Sequence, residues 1–89
     1  MYKNKIILIT GGSGGLGTNL AKSYAREGGK IINLSRNLLK MEKLNNDLNK
    51  INNLENRFYK VDISNYDEIR DIKNELVSDK LVPNIIINN

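Results

Sequence analysis

Five of the chain's seven glycines crowd into one short stretch, Gly11-Gly12-Ser13-Gly14-Gly15-Leu16-Gly17. The segments on either side constrain it most. Before it, Lys5-Ile6-Ile7-Leu8-Ile9 is a short apolar run, the pattern of a strand buried on both faces of a parallel sheet. After it, from Leu16 to about Glu27, the pattern is helical, and the spacing predicts Leu16, Leu20 and Tyr24 on one face. The glycines therefore join a buried strand to a helix N-terminus. Glycine adopts backbone angles that other residues avoid, and it has no Cβ to hold a ligand off. Free N–H groups at the start of a helix, with the dipole behind them, suit a phosphate anion. The dipole alone contributes about 0.3–1 kcal/mol. Each hydrogen bond to a charged oxygen contributes about 1.5–3 kcal/mol, so converging donors outweigh the dipole.

Several glycine patterns match at once. Gly12, Gly14 and Gly17 fit G-x-G-x-x-G, and Gly11, Gly15 and Gly17 fit G-x-x-x-G-x-G. The strand before and the helix after supply the context that a dinucleotide-binding loop requires. A P-loop is excluded, because Thr18-Asn19 follows Gly17 where Lys-Ser/Thr is needed.

The rest of the chain alternates in the same way. Glu27-Gly28-Gly29 stops the first helix. Lys30 to Ser35 reads as a second strand, with Arg36 just past its end. Asn37 is placed to cap a helix from Leu38 to about Asn49, with Met41, Leu44 and Leu48 on its apolar face. The asparagine-rich stretch from Asn45 to Asn56 holds poor helix formers and is expected to fray. Arg57 to Val61 reads as a third strand, ending at Asp62. Ser64 and Asp67 have the spacing of a capping box for a helix running to about Ser78. Pro83 lacks a ladder donor and belongs before the last strand, Ile85-Ile86-Ile87. Strand and helix alternation predicts an α/β fold, a Rossmann-type parallel sheet of strand order 3-2-1-4 with helices on both faces. The fourth strand is apolar along its length and expects cover on both faces, so the 89 residues are expected to be the N-terminal part of one longer domain.

Composition narrows the function. The chain has no histidine and no cysteine, which excludes His/Cys metal sites, histidine acid–base chemistry and disulfides within it. The net charge of +4 is spread along the chain with acids between the bases. That is a solvated mixed surface rather than a nucleic-acid face. No run of about 18 apolar residues is present, so no transmembrane span is expected, nor a secretory signal, and the location expected is cytoplasmic.

With these residues placed, the sequence resembles the short-chain dehydrogenase/reductase family. Thr10-Gly11-x-x-x-Gly15-Leu16-Gly17 is similar to the family's cofactor motif. Val61-Asp62-Ile63-Ser64 is similar to its adenine-side segment, and Ile87-Asn88-Asn89 to the first half of its Asn-Asn-Ala-Gly motif. The resemblance implies that Gly11, Gly12, Ser13, Gly14, Gly15, Leu16 and Gly17 hold the pyrophosphate. It implies that Asp62 and Ile63 flank the adenine, and that Asn88 and Asn89 meet the ribose side or brace the sheet. As residues alone, Ser13 could ease the turn, Asp62 could cap the next helix and Asn89 could be a frayed terminus. The second strand ends in Ser35-Arg36-Asn37, where a binder of NAD has an acid for the ribose hydroxyls. A guanidinium there suits a 2′-phosphate, so the expected cofactor is NADP rather than NAD. Family members that prefer NADP often carry a second basic residue in the glycine loop, and here that place is Gly14.

The family's catalytic Ser and Tyr-x-x-x-Lys pair have no counterpart in this stretch. Tyr2, Tyr24, Tyr59 and Tyr66 are followed four residues on by Ile6, Gly28, Ile63 and Arg70. The resemblance thus implies the cofactor-binding portion of an oxidoreductase acting on a carbonyl or alcohol, with no catalytic residue here. A small-molecule substrate and a homo-oligomer are expected of the full-length protein. Two alternatives stand beside it: a nucleotide-sugar epimerase or dehydratase of the extended branch, and a truncated dinucleotide-binding protein without chemistry.

Overall fold

The computed structural model describes residues 1–11 and 14–89. Strands β1 (Ile6–Thr10), β2 (Lys30–Ser35), β3 (Arg57–Lys60) and β4 (Ile85–Asn88) alternate with helices α1 (Gly15–Arg26), α2 (Leu38–Ile51) and α3 (Tyr66–Ser78). The strands form one parallel sheet in the order β3-β2-β1-β4, as expected. Because side chains alternate along a strand, β1 sends Ile7 and Ile9 to one face and Ile6 and Leu8 to the other. The first pair packs with Ile31, Ala21, Ala25, Leu44 and Leu48 under α1 and α2. The second pair joins Ile32, Leu34, Val61 and Leu76 under α3.

Three local expectations are corrected. The face of α1 turned to the sheet is Gly17, Ala21 and Ala25, one position on from Leu16, Leu20 and Tyr24. Small residues let the helix axis approach the strands closely, which bulky ones would prevent. Leu16 is instead 65% exposed. The cap of α3 is Asn65, whose side chain accepts from the Glu68 N–H at 3.2 Å, while Ser64 turns back to Asp62. A shorter Asx cap one residue later satisfies the same helix donors as the expected box.

The asparagine stretch does not fray. Helix α2 runs on to Ile51, and the asparagines behind it form a clasp. Asn52 Nδ2 donates to the carbonyls of Ala25 and Gly29, both at 3.0 Å. Asn56 Nδ2 donates to Asn49 Oδ1 at 2.9 Å and to Asn52 Oδ1 at 3.0 Å. Asn56 Oδ1 accepts from the Ile31 N–H at 2.8 Å. Polar side chains with poor helix propensity thus close the sheet's lower edge by tertiary bonds that propensity does not register. Asn84 does comparable work for β4. Its side chain accepts from the Ile6 N–H and its own N–H donates to the Ile6 carbonyl, both at 2.8 Å.

Asn33 in β2 is fully buried, and among the described residues neither polar atom of its side-chain amide has a hydrogen-bond partner. A buried amide without partners costs about 1–3 kcal/mol. Asn33→Leu keeps the branching and removes the polar atoms. We expect it to stabilise the protein by about 1–2 kcal/mol, read as a rise in Tm of about 4–8 °C per kcal/mol. An unchanged or lower Tm would show that the amide is satisfied in solution.

On the α3 side an open apolar groove of about 340 Å³ lies between α3 and β4. Val77, Val82 and Ile86 on its walls are all more than half exposed.

Candidate functional site

The C-terminal ends of all four parallel strands open at one rim. In such a sheet the crevice for a ligand lies where the strand order reverses. Here that point is between β1 and β4, since β1 leads to β2 on one side while β4 enters on the other.

The glycine loop leaves β1 at this point. Gly11 has φ +69°, a left-handed conformation that only glycine adopts without strain. Its N–H donates to the Leu34 carbonyl at 2.8 Å, and the Gly14 N–H reaches the Gly11 carbonyl at 3.3 Å. Gly14 is the N-cap of α1 and supplies no side-chain cap. The first intrahelical bond of α1 is from the Thr18 N–H to the Gly14 carbonyl at 2.8 Å. The N–H groups of Gly15, Leu16 and Gly17 precede it and have no partner within the helix. Among the described residues they make no bond outside it either. A Cβ built on Gly15 would meet nothing within 4 Å. Among the described residues the first turn of α1 thus has amide donors without a partner, the surroundings that a diphosphate requires. Gly12 and Ser13 lie outside the described residues.

Asn88 and Asn89 reach the loop from β4. The Thr10 hydroxyl lies 3.2 Å from Asn88 Oδ1 and 3.4 Å from the Ile87 carbonyl, and it accepts from the Asn89 N–H at 3.4 Å. Asn89 Nδ2 donates to the Gly11 carbonyl at 3.2 Å. Both asparagines thus brace the loop against the sheet. Thr10 is the hub of this bracing, and sequence reasoning did not count it among the site residues. Its signal was a lone hydroxyl ending an apolar strand directly before glycine.

At the end of β2, Ser35 Oγ accepts from the Asn37 N–H at 3.2 Å, and Asn37 caps α2 by accepting from the Lys40 N–H at 3.0 Å. Arg36 between them is exposed. At the end of β3, Asp62 Oδ1 accepts from the Ser64 hydroxyl at 2.7 Å and the Ser64 N–H at 2.9 Å. These bonds hold the Asp62 carboxyl below its ordinary pKa, and the Arg36 charge acts in the same direction. Asp62 therefore closes its own turn rather than capping α3. Ile63 beside it is 56% exposed, an apolar side chain open at the rim. All the described site residues share this rim. Their positions at the ends of β1, β2, β3 and β4 put them in the order that the sheet dictates.

Comparison with known proteins agrees with this arrangement. The family model for short chain dehydrogenase matches residues 5–89. An uncharacterized oxidoreductase of Mycobacterium bovis is 36% identical over 98% of the chain, which spans 26% of that protein. The NADPH-dependent pterin aldehyde reductase of Arabidopsis thaliana is 32% identical over 96% of the chain, which spans 34% of it. The crystal structure of an NAD+-bound xylitol dehydrogenase superposes with a TM-score of 0.87 at 25% identity, over 96% of this chain and 32% of that one. The chain thus spans about a quarter to a third of the length of these relatives. Among the described residues no helix is long and apolar enough to cross a membrane, and no cluster of acids could hold a metal ion.

Proposed function

The chain belongs to the short chain dehydrogenase family, and we propose that it is the NADP(H)-binding part of an oxidoreductase that reduces a carbonyl or oxidises an alcohol. The observation that carries this reading is the rim itself: first-turn amides of α1 with no partner among the described residues, and Arg36 at the end of β2. The amides of Gly15, Leu16 and Gly17, together with Gly12 and Ser13 of the same sequence motif, would hold the pyrophosphate. Asp62 and Ile63 would bound the adenine, and Asn88 and Asn89 would fix the loop against the ribose side. Bound there, the dinucleotide would give a hydride to the carbonyl or take one from the alcohol. This stretch would supply its position, while the proton-handling residues and the substrate pocket would come from outside residues 1–89. The relatives named above include both an NADPH-dependent enzyme and an NAD+-bound one. The choice between the cofactors therefore rests on the residues at the end of β2, where Ser35, Arg36 and Asn37 offer a cation and no carboxylate.

The same reading treats residues 1–89 as the N-terminal part of one domain, with a following element laid into the α3–β4 groove. A cytoplasmic homo-oligomer with a small-molecule substrate, and neither nucleic acid nor membrane as partner, completes the proposal. The comparisons favour neither an extended-branch epimerase nor a non-catalytic binder.

Arg36→Ala tests the cofactor assignment. A charge-assisted bond of about 1.5–3 kcal/mol corresponds to about ten- to hundredfold in affinity. Measured against both dinucleotides, the variant is expected to lose that much NADP affinity and little NAD affinity. An unchanged ratio of the two would overturn the assignment.

A further inference from the structure

We propose that α3 is a latched flap: its C-terminal half lifts from the sheet as a local unit, pivoting at the corner between Asp62 and Glu68, and Arg57 on β3 is the latch that closes it. This concerns the face of the sheet opposite α1 and α2 and does not rest on the cofactor reading.

Helix α3 is held differently from the other two. Helix α1 buries Gly17, Ala21 and Ala25, and α2 buries Met41, Leu44 and Leu48. Of the 13 residues of α3, Leu76 alone is buried. Ile69 and Ile72 are partly buried, and Val77 is more than half exposed. The groove of about 340 Å³ undercuts this part of the helix, with Ile72, Leu76 and Val77 on one wall and Leu8 and Ile86 on the other. Side chains that line a void have no partner atoms on that side and lose dispersion contacts. A segment with few buried apolar contacts opens at a lower free energy than the core beside it.

The two ends of α3 are fastened unequally. At the N-terminal end, Asn65 accepts from the Glu68 N–H, Glu68 Oε2 accepts from the Asp62 N–H at 3.1 Å, and the Asn65 N–H donates to the Asp62 carbonyl at 2.9 Å. Asp67 and Glu68 also suit the positive end of the helix dipole. That end is a closed corner. At the other end no base stands in the last turn, and the C-cap is an acid, Asp79, the sign that the dipole disfavours there. Lys80 follows at φ +59°, in the left-handed position where a helix stop favours glycine. The compensation comes from the edge strand. Arg57 Nη1 donates to Asp79 Oδ2 at 2.7 Å and to the Tyr59 hydroxyl at 3.2 Å. Glu75, one turn before Asp79, meets the same hydroxyl from α3. One guanidinium thus neutralises the misplaced acid and ties the helix end to β3. Without it, that end keeps an unfavourable acid, a strained residue and a void beneath it. Opening there widens the groove and leaves the corner at Asp62 in place.

The test is amide hydrogen exchange, followed residue by residue by NMR in increasing urea below the unfolding transition. The amides of Leu8, Ile9 and Ile32 in the core are expected to accelerate steeply with urea, because whole-chain unfolding exposes them. Those of Leu76 and Val77 are expected to exchange at least about tenfold faster in water and to depend little on urea, with Ile69 and Arg70 better protected than they are. Arg57→Met keeps the stem and removes the latch. It is expected to accelerate Leu76 and Val77 about fivefold, the effect of one partly exposed ion pair. Arg70→Met removes ion pairs made within α3, to Asp67 and Asp71, and should leave these amides within about twofold. Lys80→Gly relieves the strained stop and should slow them about two- to fivefold. Equal urea dependence for α3 and the core would overturn the proposal, because the helix would then open only with the whole chain. So would an Arg57→Met effect no larger than that of Arg70→Met, or an N-terminal end of α3 that exchanges faster than the C-terminal end.

Discussion

Asn56→Ala is expected to destabilise the protein by about 2–4 kcal/mol, mainly through a buried strand amide left without an acceptor. The Ile31 N–H donates to Asn56 Oδ1, and Ile31 is fully buried in β2 between β1 and β3. Among the described residues that amide has no other acceptor, so truncation strands it. An unsatisfied buried donor costs about 1–3 kcal/mol. The same truncation removes the two donations of Asn56 Nδ2, to Asn49 and Asn52. Asn52 then loses part of what orients it toward the carbonyls of Ala25 and Gly29 at the end of α1. Domains of this size have only about 5–15 kcal/mol to lose, so the variant should show a much lower midpoint in urea with an unchanged slope. Asn53→Ala is the control. Asn53 is an exposed neighbour, and its truncation is expected to stay within about 0.5 kcal/mol. If the two variants lose equal stability, the clasp does not hold the sheet.

That cluster also shows where the sequence was legible and where it was not. The sheet order could be read because each strand is an apolar run and each helix between them has helical spacing. Alternation then leaves few topologies. The residues at the strand ends followed directly, since a parallel sheet gathers its carboxyl ends at one rim: Gly11, Arg36, Asp62 and Asn88 all lie there. The asparagines were misread because propensity speaks only of the local chain, whereas Asn52 and Asn56 bond residues more than 20 positions away. The face of α1 was misread for a related reason. Periodicity fixed the stripe to within one residue, and large apolar side chains drew the choice to Leu16, Leu20 and Tyr24. Close packing chose the small residues Gly17, Ala21 and Ala25 beside them. Leu16 is thereby left at the rim, beside the free amides, where a ligand rather than the core would cover it. The role of Thr10 needed β4 in place, because its hydroxyl acts only once Asn88 and Asn89 stand next to it.

Gly11→Ala is the second substitution expected to act strongly, and it should damage stability and cofactor binding together. At φ +69° a Cβ approaches the following carbonyl oxygen, at a cost of about 1–2 kcal/mol. Here the new atom would also lie 3.1 Å from the Asn89 carbonyl oxygen. That atom is backbone, tied to the loop by the Asn89 N–H bond to Thr10 and the Asn89 Nδ2 bond to the Gly11 carbonyl. It cannot yield without loosening the join between β1 and β4. The expected stability loss is about 2–3 kcal/mol, strain and contact together. The start of α1 should shift as well, since the Gly14 N–H donates to the Gly11 carbonyl. If the first-turn amides hold the diphosphate as proposed, a misplaced first turn weakens every such donor at once, so NADP and NAD affinity should both fall by at least about tenfold, the equivalent of one charge-assisted bond. The ratio of the two should hold, because Arg36 lies past the end of β2, away from the β1–α1 loop. Gly15→Ala is the comparison that separates backbone strain from occupied space. Its Cβ meets nothing within 4 Å, so it should leave stability nearly unchanged and still hinder the cofactor if the dinucleotide lies over the first turn of α1. Loss of stability at Gly15, or full cofactor affinity in both variants, would remove the glycine loop from the binding site.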